Sequence, residues 1–179
     1  MALKPVEDTP AIRNQVSAEE WEARVALAAG HRVLAHYGVN DMTYNHFSLR
    51  VPGEPGHFLV KPTDWMFSEV TASSLHKFDF DGNPIAPHEG RNCIGGALII
   101  HAGLLRARDD LNAVLHTHTP NVMGVSTHKF GLLPISQHSM RFYGELKYHD
   151  FKGFEFDHEM TPLLLKDLDG GYYALLRNH

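Results

Sequence analysis

Three histidines set the chemistry open to this chain. His116-Thr117-His118 places two imidazoles two residues apart, after Asn112-Ala-Val-Leu115, which reads as a short buried-type strand. Side chains alternate along a strand, so both rings fall on one side of its C-terminal end. Two such rings can hold one divalent metal through Nε2 or Nδ1. Zinc takes a third protein ligand and can leave a fourth position free for chemistry. A second strand, Tyr172-Tyr-Ala-Leu-Leu-Arg177, leads into His179. If the two strands lie near each other in one sheet, their ends converge, and His116, His118 and His179 make a three-histidine site with an open face. Zn2+ is the expected ion, and Fe2+ or Mn2+ would also accept imidazole. The competing reading is that these are hydrogen-bonded core histidines, since a lone H-x-H also arises by chance. Spacing alone leaves both readings open, although 14 histidines in 179 residues favour looking for a metal.

The elements that must position these rings can be read along the chain. Residues 1–15 are polar, with Pro5 and Pro10, and read as a loose arm before a single domain over 16–179. Ser17-Ala-Glu-Glu20 has the form of a capping box. Helical spacing of Trp21, Val25, Ala28 and Ala29 follows, and Gly38 marks the stop. Residues 43–51 and 57–61 read as a strand and its return around Pro52-Gly-Glu-Pro-Gly56, and 78–85 as a further hairpin. Ile94 to Arg106 is an apolar stretch with Ala97, Leu98, His101 and Leu105 on one helical face. Thr119-Pro120 opens a helix over 121–127, and a last helix over 158–167 is broken by Gly170-Gly171. Strands early and helix–strand units late predict an α/β fold, a three-layer αβα sandwich on a mixed or antiparallel sheet.

Composition narrows the functions. Lys and Arg number 16 against 21 Asp and Glu, a net charge of −5, which disfavours nucleic acid as partner. No apolar run approaches the ~20 residues of a membrane span, and the first residues carry no secretory apolar segment. Cys93 is the single cysteine, which excludes an internal disulfide and suits the cytoplasm.

Six blocks in order carry a resemblance over roughly residues 20–179. They are Tyr44-Asn-His-Phe-Ser-Leu-Arg50, Asp81-Gly-Asn83, His101 through Arg108-Asp109, Val114-Leu-His-Thr-His-Thr119, Tyr148-His-Asp150 and Leu176-Arg-Asn-His179. Together they resemble the class II aldolase and adducin head-domain family. Asn92-Cys-Ile-Gly-Gly-Ala97 looks more like its adducin-like bacterial branch. The resemblance implies an αβα sandwich around a mainly antiparallel sheet, assembled as a homo-oligomer, often a tetramer. It implies a small-molecule substrate, hydroxylated or phosphorylated, cleaved or joined at a C–C bond beside a carbonyl. It implies a zinc ion held at the positions of His116, His118 and His179. In the family the position of His179 is followed by glycine and further helical chain, so residues beyond it are expected to complete the site, often from a neighbouring subunit.

The sequence also departs from that pattern. The glutamate that sugar-phosphate aldolases carry nineteen residues before the first metal histidine falls at Ala97, and the two serines before it fall at Gly95 and Gly96. Asn45 and Thr63 match phosphate-side positions; Asn45 alternatively organises backbone. Substitutes for the glutamate are His101, one helical turn after Ala97, and Gln137 and His138 after Pro134-Ile-Ser136. The blander readings are a core histidine for His101 and a surface position for His138. Glu89, the phenols of Tyr143 and Tyr148, and a His149-Asp150 pair complete the candidates. The expected function is a metal-dependent lyase, of aldolase or decarboxylase type, working through a metal-stabilised enolate. The alternatives are an iron-dependent oxygenase on the same scaffold and a non-catalytic, adducin-like interaction module.

Overall fold

The structure is a computed structural model that describes residues 12–87, 95, 97–153 and 159–179. Helix α1 (Ala18–His36) starts where Ser17 Oγ accepts the Glu20 N–H at 3.0 Å. The other half of the expected capping box gives way to a stronger demand. Glu20 turns inward, 1% exposed, and accepts from Arg24 Nε and Lys77 Nζ, each at 2.8 Å. Beyond the helix, Gly38 takes φ +74° and donates to Ala35 O, the left-handed stop that glycine permits. The described chain begins at Ile12. A 3-10 turn at Ile12–Asn14 buries Ile12 and lays Arg13 over the Trp21 ring. Residues 1–11 lie outside the described residues.

Strands β1 (His46–Val51), β2 (Glu54–Val60), β3 (His76–Asp79) and β4 (Ala113–His116) form one antiparallel sheet in the order β3-β2-β1-β4. Alternation sorts its two faces. Phe47, Leu49 and Val51 of β1, with Leu59 of β2, pack against Ala23, Leu27 and Ala28 of α1. The approach is close enough that a Cβ on Gly30 would stand 2.7 Å from the Phe47 ring. Phe58, Val60, Phe78 and Val114 face the other layer, where they meet Ala102 and Leu105. That layer is a π-helical turn (Ala97–Ala102) running into α2 (Gly103–Ala107), so the predicted helix has two geometries over its described residues 97–106. Arg50 crosses beneath α2 and donates to Leu105 O, Arg108 O and Leu111 O, fixing the turn that feeds β4.

The remaining elements are α3 (Pro120–Thr127), α4 (Gln137–Met140), β5 (Leu146–Asp150), α5 (Met160–Leu168) and β6 (Tyr173–Arg177). β5 and β6 pair in parallel through the α5 crossover and make a second sheet. Leu164 and Leu168 of α5 close the core against Ile100 and Leu104, with Val114 and Leu176 packed at its margin.

Two expectations are corrected. β4 is an edge strand with Leu115 46% exposed, because α1 packs over β1 and leaves the outer strand uncovered on that face. β4 and β6 do not share a sheet; their ends meet across the boundary between two sheets. Among the described residues, no helix is long and apolar enough to cross a membrane.

Candidate metal centre

The register of the four-stranded sheet places the first imidazole. His116 ends β4 opposite His46 of β1, so its side chain projects on the face shared by His46, Ser48 and Val114. His118 lies beyond the strand and is held by other means. Its backbone N–H donates to Asn45 Oδ1 at 2.9 Å, and its ring Nδ1 meets Asp41 Oδ2 at 2.8 Å. His179 follows β6 after Asn178, whose φ of +56° turns the chain end toward the other two rings. Arg177 steadies that end by lying over the Tyr148 ring at 4.3 Å and donating to His128 O at 3.3 Å.

The three Nε2 atoms converge. His116 to His118 is 2.9 Å, and His179 stands 3.1 Å from each. Nitrogens bound to one tetrahedral zinc at ~2.05 Å stand roughly 3.3 Å apart, so the spacing is close to that of a ligand cage. The donor chemistry agrees. Asp41, as a carboxylate, only accepts, so His118 carries its proton on Nδ1 and turns an Nε2 lone pair inward. Lone pairs facing each other at this range repel unless a cation or proton lies between them. Among the described residues this is the one group of three or more potential ligands. His116, His118 and His179 fit a divalent metal.

Burial favours the neutral form of two of the rings. His116 is held well below the ordinary imidazole range by loss of hydration, then by His118, His46 and His179. His179 is lowered by the same loss of hydration and by His118. Behind His116 lies His46, its ring stacked at 5.8 Å and its pKa pushed down to about 3 by burial and the Lys61 charge. Lys61 is 2% exposed, donates to Thr43 O at 2.8 Å, and is lowered to about 8 chiefly by burial.

The other expected residues are dispersed. His101 is fully buried behind His46 and bonded through Nδ1 to Ser48 Oγ at 2.7 Å. The amide of Asn45 is occupied at both ends by backbone, from His118 N–H and to Val39 O. Thr63, Gln137, His138 and Tyr143 are exposed, and Gly95 is half-buried. Tyr148 accepts the Leu132 N–H at 3.0 Å. His149 pairs with Asp167 at 2.6 Å and not with Asp150, since neighbours along a strand point to opposite faces. Glu89 and Gly96 lie outside the described residues. A groove of about 610 Å³ starts two residues past His118, at Pro120 and Asn121, and runs to Ile135 and Ser139. Sequence reasoning missed Asp41, Ser48 and Lys61. Only Lys61 left a signal, a cation closing the apolar run Phe58-Leu-Val60.

The family model for the class II aldolase and adducin N-terminal domain matches residues 25–179. A Caulobacter vibrioides protein, provisionally named as aldolase class 2, is 40% identical over 171 residues, covering 96% of this chain and 66% of that protein. Rat alpha-adducin is 39% identical over 160 residues, covering 87% of this chain and 21% of its own length. An aldolase II superfamily protein from Pseudomonas syringae superposes with a TM-score of 0.90 at 44% identity, covering 94% of this chain and 68% of that one. L-fuculose 1-phosphate aldolase from Glaciozyma antarctica superposes with a TM-score of 0.78 at 26% identity, covering 99% and 66%. The chain thus spans about two thirds of the length of the bacterial relative and of these solved chains. It belongs to the class II aldolase and adducin family and has that family's α/β fold, a mainly antiparallel sheet flanked by helices.

Proposed function

We propose that this member of the class II aldolase and adducin family is a metal-dependent lyase, of aldolase or decarboxylase type, acting on a small hydroxy- or oxo-carbonyl compound. The observation that carries the reading is the meeting of three imidazole Nε2 atoms within 3.1 Å at the open end of the sheet. A divalent cation held there, Zn2+ by preference, would stabilise the negative charge that C–C cleavage leaves on a carbonyl oxygen. The chain's own residues supply the rest. His116, His118 and His179 would hold the ion, and burial lowers the proton affinity of His116 and His179 and so favours their neutral, ligating forms. The groove that begins at Pro120, two residues past His118, and is lined by Val125, Leu132 and Leu133 is the proposed place for the apolar part of the substrate.

Proton handling separates the two lyase types. A glutamate at position 97 would take a hydroxyl proton in retro-aldol cleavage, and this chain has Ala97. Loss of CO2 from a 3-oxo acid also forms an enolate but requires no base for a hydroxyl proton, which favours decarboxylation. Gln137 and His138 on α4 and His101 behind His46 are the proposed proton-handling groups; Asn45, Thr63, Gly95 and Gly96 are the proposed substrate-side positions. Likeness to rat alpha-adducin favours a second reading, a non-catalytic interaction module. We take the assembly as a homo-oligomer, a tetramer by family likeness, working in the cytoplasm. The exposure of Phe130 at 66%, Ile135 at 83% and Tyr143 at 70% supports association.

The test loads the purified chain with zinc, manganese or iron(II) and screens small 3-hydroxy and 3-oxo acids for aldehyde formation or CO2 release. Metal-dependent turnover that falls at least about 100-fold in His179→Ala is the expected result. A fully loaded chain without turnover on any of these acids would favour the interaction module.

A further inference from the structure

His118, like His179, lies beyond the strand that leads to it. β4 ends at His116, so no ladder hydrogen bond fixes residue 118. The turn between α1 and β1 does that work from outside the strand. Tyr44 N–H donates to Asp41 O at 2.9 Å and closes the turn around Met42, which has φ +45°. Its two ends then grip one residue. Asn45 Oδ1 takes the His118 backbone N–H at 2.9 Å, and Asp41 Oδ2 takes the His118 ring Nδ1–H at 2.8 Å.

The ring contact has a chemical consequence. A neutral imidazole carries one proton and offers one lone pair. With Nδ1–H committed to a carboxylate, the lone pair of His118 is on Nε2, the atom that faces His116 and His179. Without that acceptor the ring is free to carry its proton on Nε2, where it blocks coordination. The carboxylate also makes Nε2 a stronger donor and fixes the plane of the ring. Asp41 is partly exposed, its side chain at 37%, and its carboxylate is turned to His118. It contributes to the site more than to the core.

We propose that Asp41 is a positioning residue for the metal centre, acting through His118: it selects the tautomer and orientation that make His118 Nε2 a ligand. The inference rests on the three-histidine metal reading and goes one shell beyond it.

The test compares the parent chain with Asp41→Asn, Asp41→Ala and His118→Ala. Zinc affinity is measured by competition with a chromophoric chelator, and Co2+ is used for the visible ligand-field spectrum. The metal-free proteins are examined by 15N imidazole spectroscopy and thermal denaturation. The parent should bind one zinc per chain. Both Asp41 variants should bind it about 10–100-fold more weakly. In Asp41→Ala, which keeps no acceptor, the His118 resonances should move from the Nδ1–H form toward the Nε2–H form, while the metal-free melting temperature of both variants stays near that of the parent. Asp41→Ala binding zinc within threefold of the parent, with an unchanged His118 tautomer, overturns the role of Asp41 alone. A parent that binds no zinc overturns the metal reading, and the role of Asp41 with it. A metal-free melting temperature lowered in both variants without a change of tautomer reassigns Asp41 to stabilising the turn.

Discussion

His31 offers a quantitative test of how burial in this fold governs its imidazoles. The ring is fully buried in α1, edge-on to Phe67 at 4.7 Å and tilted against Phe47 at 5.5 Å. Nδ1 donates to Leu27 O at 2.8 Å, and among the described residues Nε2 has no hydrogen-bond partner. Burial pushes the pKa down to about 4, with the Lys61 charge adding to the effect and the Leu27 carbonyl opposing it. The unfolded chain, near 6.5, therefore binds this proton more readily than the folded one. The stabilising contribution is complete above pH ~6.5 and is lost as the pH falls toward 4. The gap is worth about 3 kcal/mol in full, and about 2 kcal/mol of it is lost between pH 7 and pH 5. Urea denaturation of the parent and of His31→Leu, both under chelator, should separate the term from every other titrating group. Leucine suits the apolar cage and carries no proton. The parent should lose about 2 kcal/mol more than the variant between pH 7 and pH 5, with similar m-values. Two stability curves parallel to within about 0.5 kcal/mol would refute the reasoning, because a buried neutral imidazole must leave a difference of at least that size.

Three further substitutions probe how buried and exposed polar contacts support the fold. Glu20→Ala leaves Arg24 and Lys77 buried without the carboxylate that joins them, and should cost about 3–5 kcal/mol by urea denaturation. Asp169→Ala, which breaks an exposed pair with Lys147, should cost under about 1 kcal/mol in the same assay. Ser48→Ala removes the partner of His101 Nδ1, whose Nε2 is already unpartnered, and should cost about 1–3 kcal/mol. Thermal denaturation of Ser48→Ala in a His101→Leu background should recover most of that loss.

The parts of the molecule governed by local periodicity were legible in the sequence. The H-x-H pair after a strand pointed to the cluster, although His118 lies beyond β4 and is placed by Asn45 and Asp41 and not by strand alternation, and the strand before His179 pointed to the third ring. The turn at Gly38 and the hairpin between β1 and β2 follow from residues that sit next to each other in the chain. What could not be read depends on partners far apart. Glu20 abandons its cap for Lys77, 57 residues away, because a buried ammonium demands a carboxylate more strongly than a helix end does. His149 likewise finds Asp167 across α5, where the sequence suggested its neighbour Asp150. Asp41 and His118 are 77 residues apart and share no motif. The division between β4 and β6 was equally hidden, since each strand reads the same in one sheet or two.

That division has a mechanical meaning. The four-stranded sheet and the β5–β6 pair are joined at one end by Arg108, which donates to Gly171 O at 2.6 Å and stacks on Tyr172. At the opposite end the two come together at the imidazole cluster. An ion seated there would act as a rivet between two plates already pinned at their far corner. Two of its bonds would go to the larger plate and one to the smaller, so any slippage between the plates would be borne by the single bond to His179.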